Sequence, residues 1–205
     1  DVLLAVAATG DNAIDWSQDG NTPYSYLQTN AASIASVGDT AKAVLALIAS
    51  GKNPRDLGGV DLVDELEGTL GDDGQYGESG LINDQALAMI ALSSAQRTVP
   101  AAAVDYVLAR QIDDGTWAWN GDTTEGTGDN NTAAMAVVAL RAAGVPADHP
   151  QIVKTLDHFK EQQNEDGGFP YISPSPYGTD SDSNSTAVVI WAIKAAGQDP
   201  AGDAY

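Results

Sequence analysis

Asp180, Asp182 and Asn184 have the one-three-five spacing of the first ligands in a calcium-binding loop. The rest of such a loop is missing. Its sixth position is Ser185, where a sharp turn needs glycine, and its twelfth is Trp191, where a bidentate glutamate belongs. A polar loop that caps a helix explains these residues with fewer requirements. Asp122, Glu125 and Asp129 form a second acidic group, and a solvated loop accounts for it better than a calcium site does. The two histidines, His149 and His158, are expected to be ordinary surface residues rather than zinc ligands. With no cysteine in the chain, disulfides, thiolate metal sites and a cysteine nucleophile are excluded.

Aromatic residues recur beside Asp-Gly pairs: Tyr24, Tyr76, Trp117, Trp119, Phe169, Tyr171 and Tyr177. Trp117 and Phe169, which follow the glycine within two residues, are expected to wedge between repeats. Trp119, Tyr171 and Tyr177 lie outside that core and are candidates to stack on a ligand, with Asn130 and Asn184 as polar contacts. The surrounding carboxylates oppose an anion. A neutral, amide-rich or cationic small molecule is the better match to such loops.

These loops alternate with a repeated helix. TAKAVLALIASG at 40–51, QALAMIALSSA at 85–95, TAAMAVVALRAAG at 132–144 and TAVVIWAIKAAG at 186–197 are close copies, and VLLAVAATG at 2–10 resembles the tail of a fifth. Thr40, Gln85, Thr132 and Thr186 are 45, 47 and 54 residues apart, a spacing typical of repeat arrays. Each copy is apolar nearly all round, so it must be buried on every side. Asp39, Asp84, Asn131 and Ser185 precede the copies and read as N-caps. Gly51, Gly144 and Gly197 close three of them. Between the copies lie amphipathic segments: a weak one after Pro23, then 60–70, and those opened by Pro100 and Pro150.

Buried helices inside and amphipathic helices outside satisfy both patterns. The expectation is an all-α, two-layer α/α toroid or an open arc of one, with parallel inner helices and four to five helix-hairpin repeats. One domain over 1–205 is expected, with repeats at about 11–54, 55–98, 99–146 and 147–200. The opening segment reads as the last helix of a preceding repeat, so the chain is expected to be part of a longer protein. A formal net charge of −20 argues against nucleic acid or anionic membrane as a partner. No apolar run is long enough to span a bilayer.

Tyr106-Val107, then Gln111, then Gly115-Thr116-Trp117 closely resembles the glutamine-tryptophan repeat of terpenoid cyclases, and is similar to prenyltransferase and squalene-oxidase repeats. That resemblance covers nearly the whole chain and implies an α/α toroid. NTPYSYL, GKNPRDLGGVDLVDEL, DQALAMIAL and AVDYVLARQIDDGTW look most like non-catalytic toroids of secreted and cell-surface bacterial proteins, which are similar to the α-domain of cobalamin carriers. The resemblance implies an extracellular or cell-surface setting. It implies a small-molecule ligand or neighbouring domains of the same exported protein as partners, and corrinoid as one conceivable ligand beside calcium.

The enzymes of the superfamily supply the alternative: a cyclase or prenyltransferase whose catalytic residues lie outside this segment. Class II cyclases protonate substrate from an Asp-Xaa-Asp-Asp-Thr-Ala motif, and the matching stretch here is Asp182-Ser183-Asn184-Ser185-Thr186-Ala187. Asn184 stands where the proton-donating aspartate belongs, and an amide is no general acid. The corresponding positions in the other copies, taken as Gly38-Asp39, Asn83-Asp84 and Asn130-Asn131, restore no acid pair. The zinc ligands of protein prenyltransferases and the cysteine of a thioester toroid are absent, and basic residues for diphosphate are too few.

Overall fold

A computed structural model describes residues 2–176, 178–202 and 205. Among them every regular element is a helix, apart from one short 3-10 turn. In chain order they are α1 (Val2–Ala8), α2 (Pro23–Thr29), α3 (Val37–Ala49), α4 (Leu62–Glu67), α5 (Ile82–Ser94), α6 (Ala101–Leu108), α7 (Asn130–Ala142), α8 (Pro150–Gln162) and α9 (Ser183–Ala195). None is long and apolar enough to cross a membrane.

The inner layer is the row α1, α3, α5, α7, α9, each packed on the next. Its direction follows from what meets what. The Cα of Gly38, in the first turn of α3, faces the Asp84 carboxylate in the first turn of α5. At the opposite end, Ser93 Oγ donates to Ala142 O across α5 and α7 (2.7 Å), and Arg141 Nε donates to Ala195 O across α7 and α9 (3.0 Å). N-termini sit beside N-termini and C-termini beside C-termini, so the inner helices run parallel. Alanine makes this close spacing possible: Ala41, Ala86, Ala88, Ala91, Ala133 and Ala136 are all fully buried. The outer layer covers the seams. Helix α4 packs on α3 and α5, α6 on α5 and α7, and α8 on α7. The result is an α/α toroid arc with one continuous core.

The inner helices start two or three residues earlier than the repeat alignment suggests. Ser36, Asp129 and Asp182 are the side-chain caps, accepting from Asp39 N, Thr132 N and Ser185 N, while α5 begins after Leu81 with no side-chain cap. Asp39, Asp84, Asn131 and Ser185 are thus inside the first turn rather than at the N-cap. Registering the helices on their starts puts Thr132 level with Ser185, and Ala133 level with Thr186. The motif positions in α7 are therefore Asn131 and Thr132, not Asn130 and Asn131.

The loops feeding the inner helices share one local device. Asp73, Asp114 and Asp166 each accept, through Oδ1, the backbone N–H two residues on (2.9–3.0 Å). The glycine between them takes a left-handed conformation, with φ of 85° at Gly74 and 91° at Gly115. Only glycine adopts that without strain. At Gly74 a side chain would also run into the carbonyl of Ala102. The turn throws the aromatic two residues after the glycine into the core, where Tyr76, Trp117 and Phe169 are buried. Trp117 Nε1 donates to Val107 O (2.7 Å), which satisfies its one polar atom. Gln111 Nε2 reaches Gln151 O (2.8 Å) and Thr155 Oγ1 (3.0 Å), tying the repeat to α8.

Candidate functional site

Two adjoining cavities open where the loop before α7 meets the loop before α9. The smaller, about 140 Å³, is walled by Asp114, Thr116, Asp129, Asn130 and His158. The larger, about 470 Å³, is walled by Tyr171, Pro176, Asp180 and Asp182. Gly126, Ile172 and Pro174 border both and join them into one cleft. Among the described residues no lysine or arginine lines either part. The cleft lies at the N-terminal ends of α7 and α9, the mouth where the parallel inner helices begin.

Asp129 anchors the cleft floor. It is 3% exposed, caps α7 through Thr132 N (2.7 Å), and accepts Thr132 Oγ1 (2.8 Å). Burial pushes its carboxyl above the usual range, against the opposing hydrogen bonds from Thr132 and Tyr171. The Tyr171 phenol is pushed up to about 12, first by burial and then by the neighbouring Asp129 charge. Asn130 is 1% exposed. Its backbone N–H donates to Tyr171 O, its Nδ2 to Pro170 O (both 2.9 Å), and its Oδ1 faces His158 Nε2 at 3.1 Å. Because the amide nitrogen donates to a carbonyl, Oδ1 must accept, and His158 Nε2 carries the proton. Burial lowers the His158 pKa more than Asp114 and Glu161 raise it, so the ring is neutral near pH 7.

His158 is therefore not an ordinary surface histidine. It is half-buried on the inward side of α8 and locks Asn130 in place. Its spacing carried a signal: it stands three residues after the buried Thr155 and next to the buried Phe159. Asp129, placed by sequence among loop carboxylates, is a buried cap. Its place directly before the helix, three residues ahead of Thr132, is the signal that separates it from Asp122; its burial is set by the contact with Tyr171.

The structure brings together Tyr171, Asp180 and Asp182 in the larger cavity and places Asn130 in the smaller. Trp119 is 54% exposed but lines neither cavity. Its carbonyl accepts Ile82 N (3.0 Å) at the mouth of α5, one repeat away. Asn184 is exposed on the first turn of α9 and also lines neither. Tyr177 lies outside the described residues. Asp182 is occupied as the α9 cap: Oδ1 accepts Ser185 N (2.8 Å) and Oδ2 the Ser185 hydroxyl. Those bonds hold its carboxyl below the usual range. Among the described residues no three His, Asp or Glu side chains converge as metal ligands.

Chemically, the cleft offers, among the described residues, carboxylate and carbonyl acceptors, the aromatic face of Tyr171 and a neutral imidazole, with no cationic group. Comparison with known proteins agrees with the architecture. Residues 81–202 match the family described as Squalene-hopene cyclase C-terminal domain. The chain is 36% identical over 92 residues to a squalene–hopene cyclase of Zymomonas mobilis, an alignment covering 43% of this chain and 13% of that protein. It is 38% identical over 72 residues to a squalene–hopene cyclase of Alicyclobacillus acidocaldarius, covering 29% of this chain and 11% of that protein. The matched stretch is thus a small part of each relative's length. Its terpenoid-cyclase type of α/α toroid, and a match over more than half its residues, give the assignment: the chain belongs to the squalene-hopene cyclase C-terminal domain family.

Proposed function

We propose that this chain is a non-catalytic ligand-binding or structural module of an exported or cell-surface protein, and that its ligand seat is the cleft at the mouths of α7 and α9. The observation that carries the proposal is the state of the would-be acid. Asn184, at the position that the resemblance gives to the proton donor, is an exposed amide. The neighbouring Asp182 is held below its ordinary pKa by Ser185, the opposite of what a general acid needs. Asp129 does have a raised pKa, but its oxygens are taken up by Thr132 and Tyr171.

The walls favour a neutral, amide-bearing or cationic small molecule stacked on Tyr171, with Asp180 and the backbone as acceptors. A corrinoid, whose rim carries amides, is one such molecule. Native mass spectrometry and thermal shift against cobalamin, polyamines and neutral amides test this, with a calcium titration beside them. A hit whose affinity falls about tenfold or more in Tyr171→Ala, and is unchanged in Trp119→Ala, supports the cleft. Ligands lost instead with Trp119 would move the site to the mouth of α5. A calcium-dependent rise in Tm that disappears in Asp180→Ala would make the loop a metal site.

A further inference from the structure

The polar walls of the smaller chamber divide into groups already engaged and groups left free. Asp129 is taken up by Thr132 and Tyr171, and the Asn130 amide by Pro170 O and His158. Thr116 Oγ1 donates to Asp114 Oδ1 (2.6 Å). Three groups are left. Asp114 uses Oδ1 alone, for Thr116 N and Oγ1, and among the described residues no protein group meets its Oδ2. The Gln162 carboxamide and the Ser173 hydroxyl line the chamber half-buried, and among the described residues neither has a hydrogen-bond partner. The three come from separate elements: the loop after α6, the last residue of α8, and the loop before α9.

What these groups share is the capacity to accept. A carboxylate oxygen only accepts, an amide oxygen accepts, and a hydroxyl oxygen has two lone pairs. A primary ammonium carries three N–H donors and no acceptor, and its charge balances the carboxylate. A carboxylate or phosphate would meet Asp114 with no cation beside it among the described residues. A neutral amide would leave the carboxylate charge unbalanced. His158 is neutral near pH 7 and sets no positive charge against an ammonium.

The chamber has room for such a group and a short stem. Its volume of about 140 Å³ holds four or five heavy atoms at roughly 30 Å³ each. Gly126 and Gly128 leave part of the wall bare of side chains. At Gly128 none fits, because a Cβ would lie 1.8 Å from Thr116 Oγ1. Ile172 and Pro174, where the two chambers join, give methylenes an apolar passage.

We propose that the smaller chamber binds the primary ammonium end of an aminoalkyl chain. Asp114 Oδ2, Gln162 Oε1 and Ser173 Oγ are its three acceptors, and the rest of the ligand lies in the larger chamber against Tyr171. This rests on the ligand seat proposed above and names the class of molecule that it takes.

Isothermal titration calorimetry tests it with four probes. Two carry a primary ammonium: cadaverine and Nα-acetyl-lysine N-methylamide. The other two are the Nε-trimethyl form of the lysine probe, which keeps the charge without N–H donors, and its neutral Nε-acetyl form. The primary ammonium probes are expected to bind, and the trimethyl and acetyl forms to bind about tenfold or more weaker. Asp114→Asn keeps the Oδ1 acceptor of the turn, and Gln162→Leu breaks no hydrogen bond within the protein, so both variants should keep the wild-type Tm. Each should weaken the primary ammonium probes about tenfold. Tighter binding of the lysine probe than of cadaverine would identify the body of the ligand as amide-bearing, and the reverse as a polyamine. Equal binding of the trimethyl form, or binding unchanged in both variants, would overturn the proposal. So would the absence of binding by both primary ammonium probes. A neutral ligand that is lost in Tyr171→Ala but kept in Asp114→Asn would overturn it too, while leaving the cleft as the ligand seat.

Discussion

Two tryptophans two residues apart show how far local pattern determines a residue's role. Trp117 follows the Asp114-Gly115 turn, is fully buried and donates to Val107 O. Trp119 is beyond the turn and 54% exposed. Trp117→Ala is expected to cost about 3–5 kcal/mol in chemical denaturation, whereas Trp119→Ala stays within about 0.5 kcal/mol. The opposite order would mean the pair is misassigned. This distinction was legible in sequence, because the turn fixes which side chain goes inward. The Asn130–His158 contact was not, because it joins residues 28 apart through tertiary packing alone. It makes its own prediction. A histidine whose folded pKa is depressed contributes stability that is full above the unfolded value of 6.5 and is lost as pH falls through the folded value. Tm of the wild type should therefore drop more than that of His158→Gln between about pH 7.5 and about pH 5. Parallel curves would show that the ring titrates normally.

At the scale of the helix, the existence and order of the inner elements were legible and their starts were not. The apolar runs begin with Thr40, Gln85 and Thr186, but the hydrogen-bonded helix begins three residues before each, at Val37, Ile82 and Ser183. The polar residues in between, such as Asp84 and Ser185, look like caps and are first-turn residues. What reveals the true start is the acceptor three residues upstream of the capped amide, as with Asp182 and Ser185. Two contacts follow from an alignment already legible in the sequence. Gln85 and Thr186 occupy the same position in α5 and α9. Each receives the backbone N–H of the loop aromatic, Tyr76 N to Gln85 Oε1 (2.8 Å) and Phe169 N to Thr186 Oγ1 (2.9 Å). The α7 equivalent is Ala133, which has no side-chain acceptor; there Asp129 N donates to Trp117 O (3.1 Å), as Asp182 N does to Phe169 O (3.1 Å) in the next repeat. Asp182→Ala should cost about 1 kcal/mol as a lost N-cap, and Asn184→Ala only a few tenths, both read by urea denaturation. Equal losses would give Asn184 a structural role.

The described residues form a row of parallel inner helices whose mouth is acidic. Repetition in the sequence specified the layers and the all-α class, because a helix apolar on every side has no stable place except between neighbours. It did not specify which mouth residues share a cleft. The 163–182 loop folds back over α7, so Tyr171 meets Asp129, while Trp119 and Asn184 fall outside. On the proposed reading, that arrangement separates the chain from the chemistry named for its relatives: the family's toroid is present, and the position that the resemblance gives to the proton donor holds an amide. Incubation of the full-length protein with squalene, followed by product analysis, tests that separation most directly. No cyclised product is expected. Turnover to a polycyclic product that is abolished by Asp182→Asn, in a variant that retains its fold, would contradict it.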